Sequence, residues 1–277
     1  MWISREITPF LRHECEVGEK ILERQTKHLI EIFNAAESSS SPAASSCKDT
    51  PNTPSKVALI DKKHILAQNY LCADSELLAH IPLCSHPSPA QVLLFDTLNL
   101  HIAHECLKHG VSVDCVQERA SLEALSEAYP RFSEVMEDRR FALYAQAMDL
   151  EIKKYDVIIA DTHLNKHQID GLSRMLSNEG ILIIRAPQPF LDIEGVKGAL
   201  SDCAAFFSII MPFTPHMSAF SDTSYIFAPK RYHPTADMIL QKIDLLPNLC
   251  YYNAKMHEAA FALPNCVFEH IKDIARF

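Results

Sequence analysis

The stretch Val92-Leu-Leu-Phe-Asp-Thr-Leu-Asn-Leu-His-Ile-Ala-His-Glu105 decides the fold, because it passes from a strand into a helix. Its four apolar residues predict a buried strand, an acid follows, and a helical pattern begins near Asn99. This order is typical of the first strand, turn and helix of a nucleotide-binding sheet. The turn from Asp96 to His101 contains no glycine, although a backbone that closely approaches a nucleotide usually needs one.

Composition narrows the possible classes of protein. The 277 residues, 48% hydrophobic and 22% charged, suffice for one full domain and a smaller one. A net charge of −9 argues against nucleic acid as a partner, and six glycines leave little room for phosphate loops. Nine cysteines without a C-x-x-C pair predict reduced core thiols, and fourteen histidines without ligand spacing predict no metal site. Without a signal-peptide core or an apolar run near ~20 residues, we expect a cytoplasmic protein with no membrane partner.

Residues 1–72 predict a small antiparallel β domain. Segments with strand character lie at 27–33, 57–60 and 64–66. Between the first two lies a stretch rich in Ser, Pro, Ala and Thr, residues 35–56. Because that stretch has little apolar surface to bury, we expect a flexible insertion in the loop of a β-hairpin.

Residues 73–277 predict a Rossmann-like α/β domain with a methyltransferase-type sheet. Strands and helices alternate at the spacing of a parallel doubly wound sheet, and two final strands would close it in antiparallel orientation. The predicted strands are 92–95, 112–117, 141–146, 155–161, 181–185, 206–212 and 224–228. The predicted helices are 75–80, 99–108, 120–128 and 168–176.

Ligands of such a sheet bind at the carboxyl ends of the strands, near the switch in strand order. That rule selects the segments 96–101, 117–119, 146–147 and 161–165. Each residue also has an ordinary structural alternative. Asp96 and Asp161 could cap the following helices, and Gln117 and Gln146 could satisfy loop backbone.

Three further stretches resemble the spermidine synthase family. The segment Tyr251-Tyr-Asn-Ala-Lys-Met-His-Glu-Ala-Ala-Phe-Ala-Leu-Pro264 is similar to the C-terminal element of that family. Leu77-Leu-Ala-His-Ile-Pro-Leu83 is similar to the lead into its first Rossmann strand, and Tyr155-Asp-Val-Ile-Ile-Ala-Asp161 resembles its fourth strand, which ends in the catalytic acid. The resemblance covers essentially the whole chain. It is closest to divergent Helicobacter-type members, which share the opening Met-Trp-Ile and the block Glu76-Leu-Leu-Ala-His80.

The resemblance implies an aminopropyltransferase. Such an enzyme moves the aminopropyl group of decarboxylated S-adenosylmethionine to putrescine and yields spermidine and methylthioadenosine. It implies small diamine and nucleoside ligands, no cofactor besides the co-substrate, and a homodimer or homotetramer. Because this donor carries no phosphate, polar strand ends and an apolar slot can hold it without glycine.

The resemblance also assigns roles to individual residues. Asp161 is the candidate base for the proton of the attacking amine. The candidates for the donor site are Asp96, Gln117, Glu118, Gln146 and Ala147, and those for the diamine are Asp74, Glu76, Asn99 and Asp161.

The chain departs from the family pattern at several of these positions. Asn99 and Gln117 stand where the family has acids, Gln146-Ala147 replaces Asp-Ala, and Asp161-Thr-His-Leu164 keeps only the first acid of Asp-Ser-Ser-Asp. Glu76 could instead be an ordinary exposed helix residue. Two alternatives therefore stay open: a methyltransferase-like enzyme on the same fold, and a degenerate homologue that binds a nucleoside or polyamine.

Overall fold

The structure is a computed structural model that describes residues 1–8, 11–35, 55–215 and 223–277. Within these ranges the chain forms an N-terminal antiparallel sheet and a larger mixed sheet flanked by helices. The predicted fold class, a Rossmann-like α/β sheet with a small N-terminal β unit, is confirmed. No helix of the described part is long and apolar enough to span a membrane.

The N-terminal sheet has its strands in chain order, each antiparallel to the next. They are β1 (Trp2–Thr8), β2 (Leu11–Gln25), β3 (Leu29–Ala35), β4 (Lys56–Ile60) and β5 (His64–Ala67). The predicted hairpin of β3 and β4 is confirmed, with β3 two residues later than expected. Strands β1 and β2 were not predicted, because β2 is rich in charged residues and lacks a clean apolar alternation.

The hairpin of β3 and β4 carries the Ser/Pro-rich stretch. Residues 36–54 of that stretch lie outside the described residues. On either side of them the strands are paired, since the Ala35 N–H donates to the Ser55 carbonyl at 2.7 Å and Asn34 lies opposite Lys56.

The larger sheet has the strand order β11-β12-β10-β9-β6-β7-β8 within the described residues. Its strands are β6 (Gln91–Phe95), β7 (Ser112–Val116), β8 (Phe141–Tyr144), β9 (Tyr155–Ala160), β10 (Leu176–Pro187), β11 (Met211–Phe213) and β12 (Thr223–Pro229). The central strands pair in parallel, and β12 is antiparallel to β10 and β11. The chain leaves β6 toward β7 and later returns beside β6 as β9. The switch in strand order therefore lies between β6 and β9, where a ligand site is expected.

Helices cover both faces of this sheet. They are α1 (Leu71–Ser85), α2 (His101–Leu107), α3 (Arg119–Ser126), α4 (Pro130–Glu137), α5 (Lys166–Met175), α6 (Ile193–Ala204), α7 (Leu240–Asp244), α8 (Ala254–Ala260) and α9 (Asn265–Ile271). Consecutive residues of one strand face opposite sides of the sheet and belong to separate hydrophobic cores, as Ile158 and Ile159 do. This explains why the central strands are continuous apolar runs rather than alternating ones.

Helices α6 to α9 were not predicted, and three further elements also differ from the prediction. Helix α1 runs through Pro82 to Ser85 instead of ending near residue 80, because nearly all of its residues are buried and burial outweighs the lost hydrogen bond. The strand expected at 206–212 is reduced to β11, since α6 extends to Ala204. Helix α4 was not predicted, although Pro130 occupies its first turn, where proline is favourable.

Candidate active site

A cavity of about 240 Å³ lies at the carboxyl ends of β6, β7, β9 and β10. The strands β4 and β5 of the N-terminal sheet and the start of α1 form its opposite wall. Its polar lining comprises His28, Asp61, His64, Tyr70, Asp74, Asp96, Asn99, Gln117, Asp161, Thr162, Arg185, Thr223 and Tyr225. Its apolar lining comprises Ile60, Ile65, Leu66, Ala67, Leu71, Leu78 and Leu98. The cavity therefore occupies the edge of the sheet that the strand-end rule selects.

The turn after β6 forms without glycine because its own side chains hold it. Asp96 has a φ of 53°, in the left-handed region that glycine adopts freely and that aspartate tolerates better than most residues. The Thr97 hydroxyl accepts the Asn99 N–H at 3.1 Å, and the Asn99 side chain accepts the His101 N–H at 3.1 Å. The Asn99 amide also donates to the Ser75 hydroxyl at 3.0 Å, which ties the turn to α1.

Asp161 follows β9 and forms an ion pair with Arg185 of β10. The Arg185 Nε and Nη2 atoms both donate to Asp161 Oδ1, at 3.0 and 2.6 Å. The Thr97 hydroxyl donates to Oδ2 at 3.3 Å, so this oxygen has the weaker hydrogen bond. Burial is the largest single influence and would lower the pKa of Arg185, but the electrostatic interactions with Asp161, Tyr225 and Asp74 and the hydrogen bonds to Asp161 together raise it. Arg185 is therefore charged.

Two further carboxylates line the same cavity as this ion pair. Asp74 of α1 and Asp96 line the cavity together with Asp161. Burial first, and then the charges of Asp74 and Asp161, raise the pKa of Tyr225 well above its ordinary value, so this phenol stays neutral. Asp74, Asp96, Asn99, Gln117 and Asp161 are the predicted site residues that the structure brings together.

Gln117 has a partly structural role. It is 3% exposed, and its Oε1 accepts the Glu118 N–H at 2.8 Å, while its Nε2 lies 3.4 Å from the Thr97 carbonyl. Gln117 therefore satisfies loop backbone and also lines the cavity, and its role in donor binding stays a prediction.

Glu76 does not line the cavity. Its Oε1 accepts the Cys250 N–H at 2.8 Å, and its Oε2 accepts the Tyr251 and Tyr252 N–H groups at 2.8 and 2.6 Å. The residue is 1% exposed, so it is also not an ordinary exposed helix residue. Glu76 instead anchors the C-terminal Tyr-Tyr-Asn segment to α1.

Three residues expected at the donor site also lie outside the cavity lining. Glu118 is engaged elsewhere, as its Oε2 accepts the Lys27 N–H at 2.8 Å and the Ser121 hydroxyl at 2.6 Å. Gln146 and Ala147 are exposed, and Gln146 caps the short helix Ala147–Asp149. Strand β8 ends at Tyr144, level with Val116 at the end of β7, and residues 145–149 after it are exposed.

The sequence prediction missed His28, Asp61, His64 and Arg185 of the cavity. Asp61 begins the tight turn between β4 and β5, and His28 Nδ1 lies 2.6 Å from its Oδ2. Burial would raise the pKa of Asp61, but the hydrogen bonds from His28 and the Leu29 N–H lower it overall. A turn residue such as Asp61 gives no sequence signal for a site on another sheet. Arg185, the last residue and lone charge of the predicted strand 181–185, was visible to the strand-end rule.

The described residues contain no group of three or more His, Cys, Asp or Glu side chains arranged to hold a metal ion. The fold and the cavity together define the class of protein, an α/β protein with a charged cavity at the topological switch point, where such sheets bind ligands.

Comparisons with known proteins narrow this class to one family. Residues 71–238 match the model of the spermine/spermidine synthase domain. A polyamine aminopropyltransferase of Helicobacter acinonychis (strain Sheeba) is 36% identical over 275 residues, covering 99% of this chain and 98% of the relative. One of Helicobacter pylori (strain G27) is 34% identical with the same coverage. The crystal structure of spermidine synthase from Thermotoga maritima has a TM-score of 0.84 at 23% identity, covering 98% of this chain and 94% of that one. The chain therefore belongs to the spermine/spermidine synthase family and is a polyamine aminopropyltransferase, as the resemblance predicted.

Proposed function

We propose that the cavity binds decarboxylated S-adenosylmethionine and putrescine and transfers the aminopropyl group between them. The observation that carries this proposal is the acidic lining. Four carboxylates, Asp61, Asp74, Asp96 and Asp161, face one cavity against a single arginine among its described lining residues. A diamine carries two positive charges at pH 7, so this wall attracts it and disfavours anionic ligands.

The donor needs neutral hydrogen-bond partners and an apolar slot. Gln117 at the end of β7 offers an uncharged amide where the family uses an acid, and Asp96 adds a carboxylate from the adjacent turn. Leu98, Leu78 and Ile65 supply apolar surface in the same cavity. We propose no cofactor besides this co-substrate.

The reaction is a displacement at the carbon beside a sulfonium. The lone pair of the attacking nitrogen forms the new N–C bond, and the C–S bond breaks with its electron pair passing to sulfur. Methylthioadenosine leaves as a neutral thioether, and the nitrogen must lose one proton. Because the sulfonium is already a good leaving group, the protein mainly aligns the nucleophile and receives this proton. Asp161 Oδ2, the oxygen that Arg185 leaves free, is the proposed acceptor.

The test is to incubate purified protein with decarboxylated S-adenosylmethionine and putrescine and to measure methylthioadenosine and spermidine by mass spectrometry. Asp161→Asn keeps the shape of the side chain and removes the base, so turnover is expected to fall roughly 10²–10⁴-fold. Asp170→Asn is the matched control, since Asp170 pairs with Arg174 at 2.6 Å on the surface of α5. It should retain full turnover.

Near-full turnover in a well-folded Asp161→Asn variant would refute the role of Asp161. Nucleoside binding without methylthioadenosine release, from any amine, would favour a degenerate homologue. Transfer of a methyl group from S-adenosylmethionine instead would favour the methyltransferase alternative.

A further inference from the structure

Arg185 is an unexpected residue in a cavity that receives cations. It is the one lysine or arginine among the described lining residues, and its side chain is only 16% exposed. Its guanidinium meets Asp161 side-on, with Nε and Nη2 both directed to Oδ1. A fixed positive charge therefore lies within hydrogen-bond distance of the carboxylate that is proposed to take the proton.

The acidic lining creates a chemical difficulty that Arg185 can resolve. Only a neutral amine has the lone pair that attacks carbon, yet every nearby carboxylate favours the protonated form. A cavity with acids alone would hold both ends of a diamine as ammonium ions. A fixed cation beside one end disfavours a second positive charge there, as in enzymes that activate a lysine next to another cation.

We propose that Arg185 keeps the attacking nitrogen of the acceptor neutral by placing a fixed positive charge beside Asp161. This inference rests on the proposed function. The distal ammonium is held by the carboxylates away from Arg185, and the proximal amine lies next to it. Arg185 also occupies Asp161 Oδ1, which leaves Oδ2 for the proton released during the transfer.

The groups that face Arg185 from the neighbouring elements are consistent with a permanent charge. They are Asp161 after β9, Tyr225 of β12 and Asp74 of α1. Burial would lower the pKa of Arg185, but these neighbours, Asp161 first, raise it overall. The pKa of Tyr225 is raised well above its ordinary value by burial, so neither group changes charge between pH 6 and 10.

Other titratable groups line the rest of the cavity, namely His28, Asp61, His64, Tyr70 and Asp96. They contribute to the pH profile of the wild type and of any Arg185 variant alike. A difference between two such profiles therefore isolates the charge of Arg185.

The test is the pH dependence of kcat with saturating putrescine, because kcat reports ionisation within the enzyme–substrate complex. In the wild type, the midpoint of the rise with pH should lie below the solution pKa of the acceptor amine. Arg185→Lys keeps the charge and should keep the midpoint. Arg185→Gln should move it upward by roughly one unit or more, so turnover falls about tenfold at pH 7 and recovers at high pH. Arg174→Gln on α5 is the surface control and should match the wild type.

A wild-type midpoint at or above the solution pKa of the amine would overturn the proposal, and this measurement needs no variant to fold. Equal midpoints in the wild type and a folded Arg185→Gln variant would overturn it as well. So would a loss of turnover that is the same at every pH, because that result would indicate a role in shape alone. Absence of methylthioadenosine formation by the wild type would instead count against the proposed function.

Discussion

Replacing Glu76 with Gln is expected to lower the free energy of unfolding by about 3 kcal/mol. The carboxylate accepts three backbone N–H groups, and hydrogen bonds to a buried charged group contribute roughly 1.5–3 kcal/mol each. The one oxygen of Gln can serve Tyr251 and Tyr252, but its NH2 group must then face the Cys250 N–H, donor against donor. The hydrogen bond from the Cys250 N–H is lost, and the two from Tyr251 and Tyr252 are then made to an uncharged acceptor. Together these changes account for the expected loss of unfolding free energy.

Urea unfolding and calorimetry measure this loss. At about 2–4 °C per kcal/mol for a chain of this size, Tm should fall by roughly 6–12 °C. Glu194→Gln is the matched control, because Glu194 is an exposed helix residue bridged to Lys197, and such surface pairs contribute less than about 1 kcal/mol. A Glu76→Gln variant within about 0.5 kcal/mol of the wild type would refute the anchoring role. If that variant were as stable as the wild type but bound putrescine poorly, Glu76 would belong in the diamine site after all.

Three further predictions concern the cavity and its supports. Gln117→Ala should weaken methylthioadenosine binding by roughly 1 kcal/mol in calorimetry, whereas exposed Gln146→Ala should not. Unchanged affinity in the Gln117→Ala variant would place the donor elsewhere. Burial lowers the pKa of His101 to about 3 and that of His257 to about 4. Below pH 6.5 these histidines therefore bind protons in the unfolded chain but not in the folded protein. The free energy of unfolding should fall by about 2 kcal/mol per histidine between pH 7 and pH 5. A Tm that stays constant between pH 7 and 5 would contradict this prediction. The free energy of unfolding of Asp96→Val should be at least about 1 kcal/mol lower than that of Asp96→Asn, because a β-branched side chain opposes positive φ. Equal urea midpoints for the two variants would exclude strain at this turn.

Local sequence patterns correctly predicted the parts of the cavity that are formed by a single strand and the turn that follows it. The stretch from Val92 to Glu105 forms the expected strand, turn and helix, and Asp161 stands at the end of its strand in the cavity. The left-handed turn at Asp96 was not predictable, because it depends on bonds among Thr97, Asn99 and Ser75.

Tertiary contacts decided the rest. The partners of Glu76 lie 174 to 176 residues farther along the chain, so no local pattern distinguishes an anchor from a substrate ligand. Asp61 and His28 reach the cavity only because the N-terminal sheet packs over the strand ends. Gln146 obeyed the strand-end rule in sequence, yet it is exposed outside the cavity lining, where its N–H donates to Asp149 Oδ2 across a short helix.

The paired ends of the β3–β4 hairpin offer a place to attach a reporter. Since Ala35 and Ser55 are hydrogen-bonded to each other, we expect the hairpin to accept a fluorescent or spin-labelled module of different length between them. Each doubling of such a module should cost only about 0.6 kcal/mol. From Ser55 the chain crosses one short strand, Lys56–Ile60, before Asp61 enters the cavity wall, a path of roughly 17–20 Å. A dye on this hairpin would sit close enough to sense occupancy of the cavity and far enough to leave its lining unaltered.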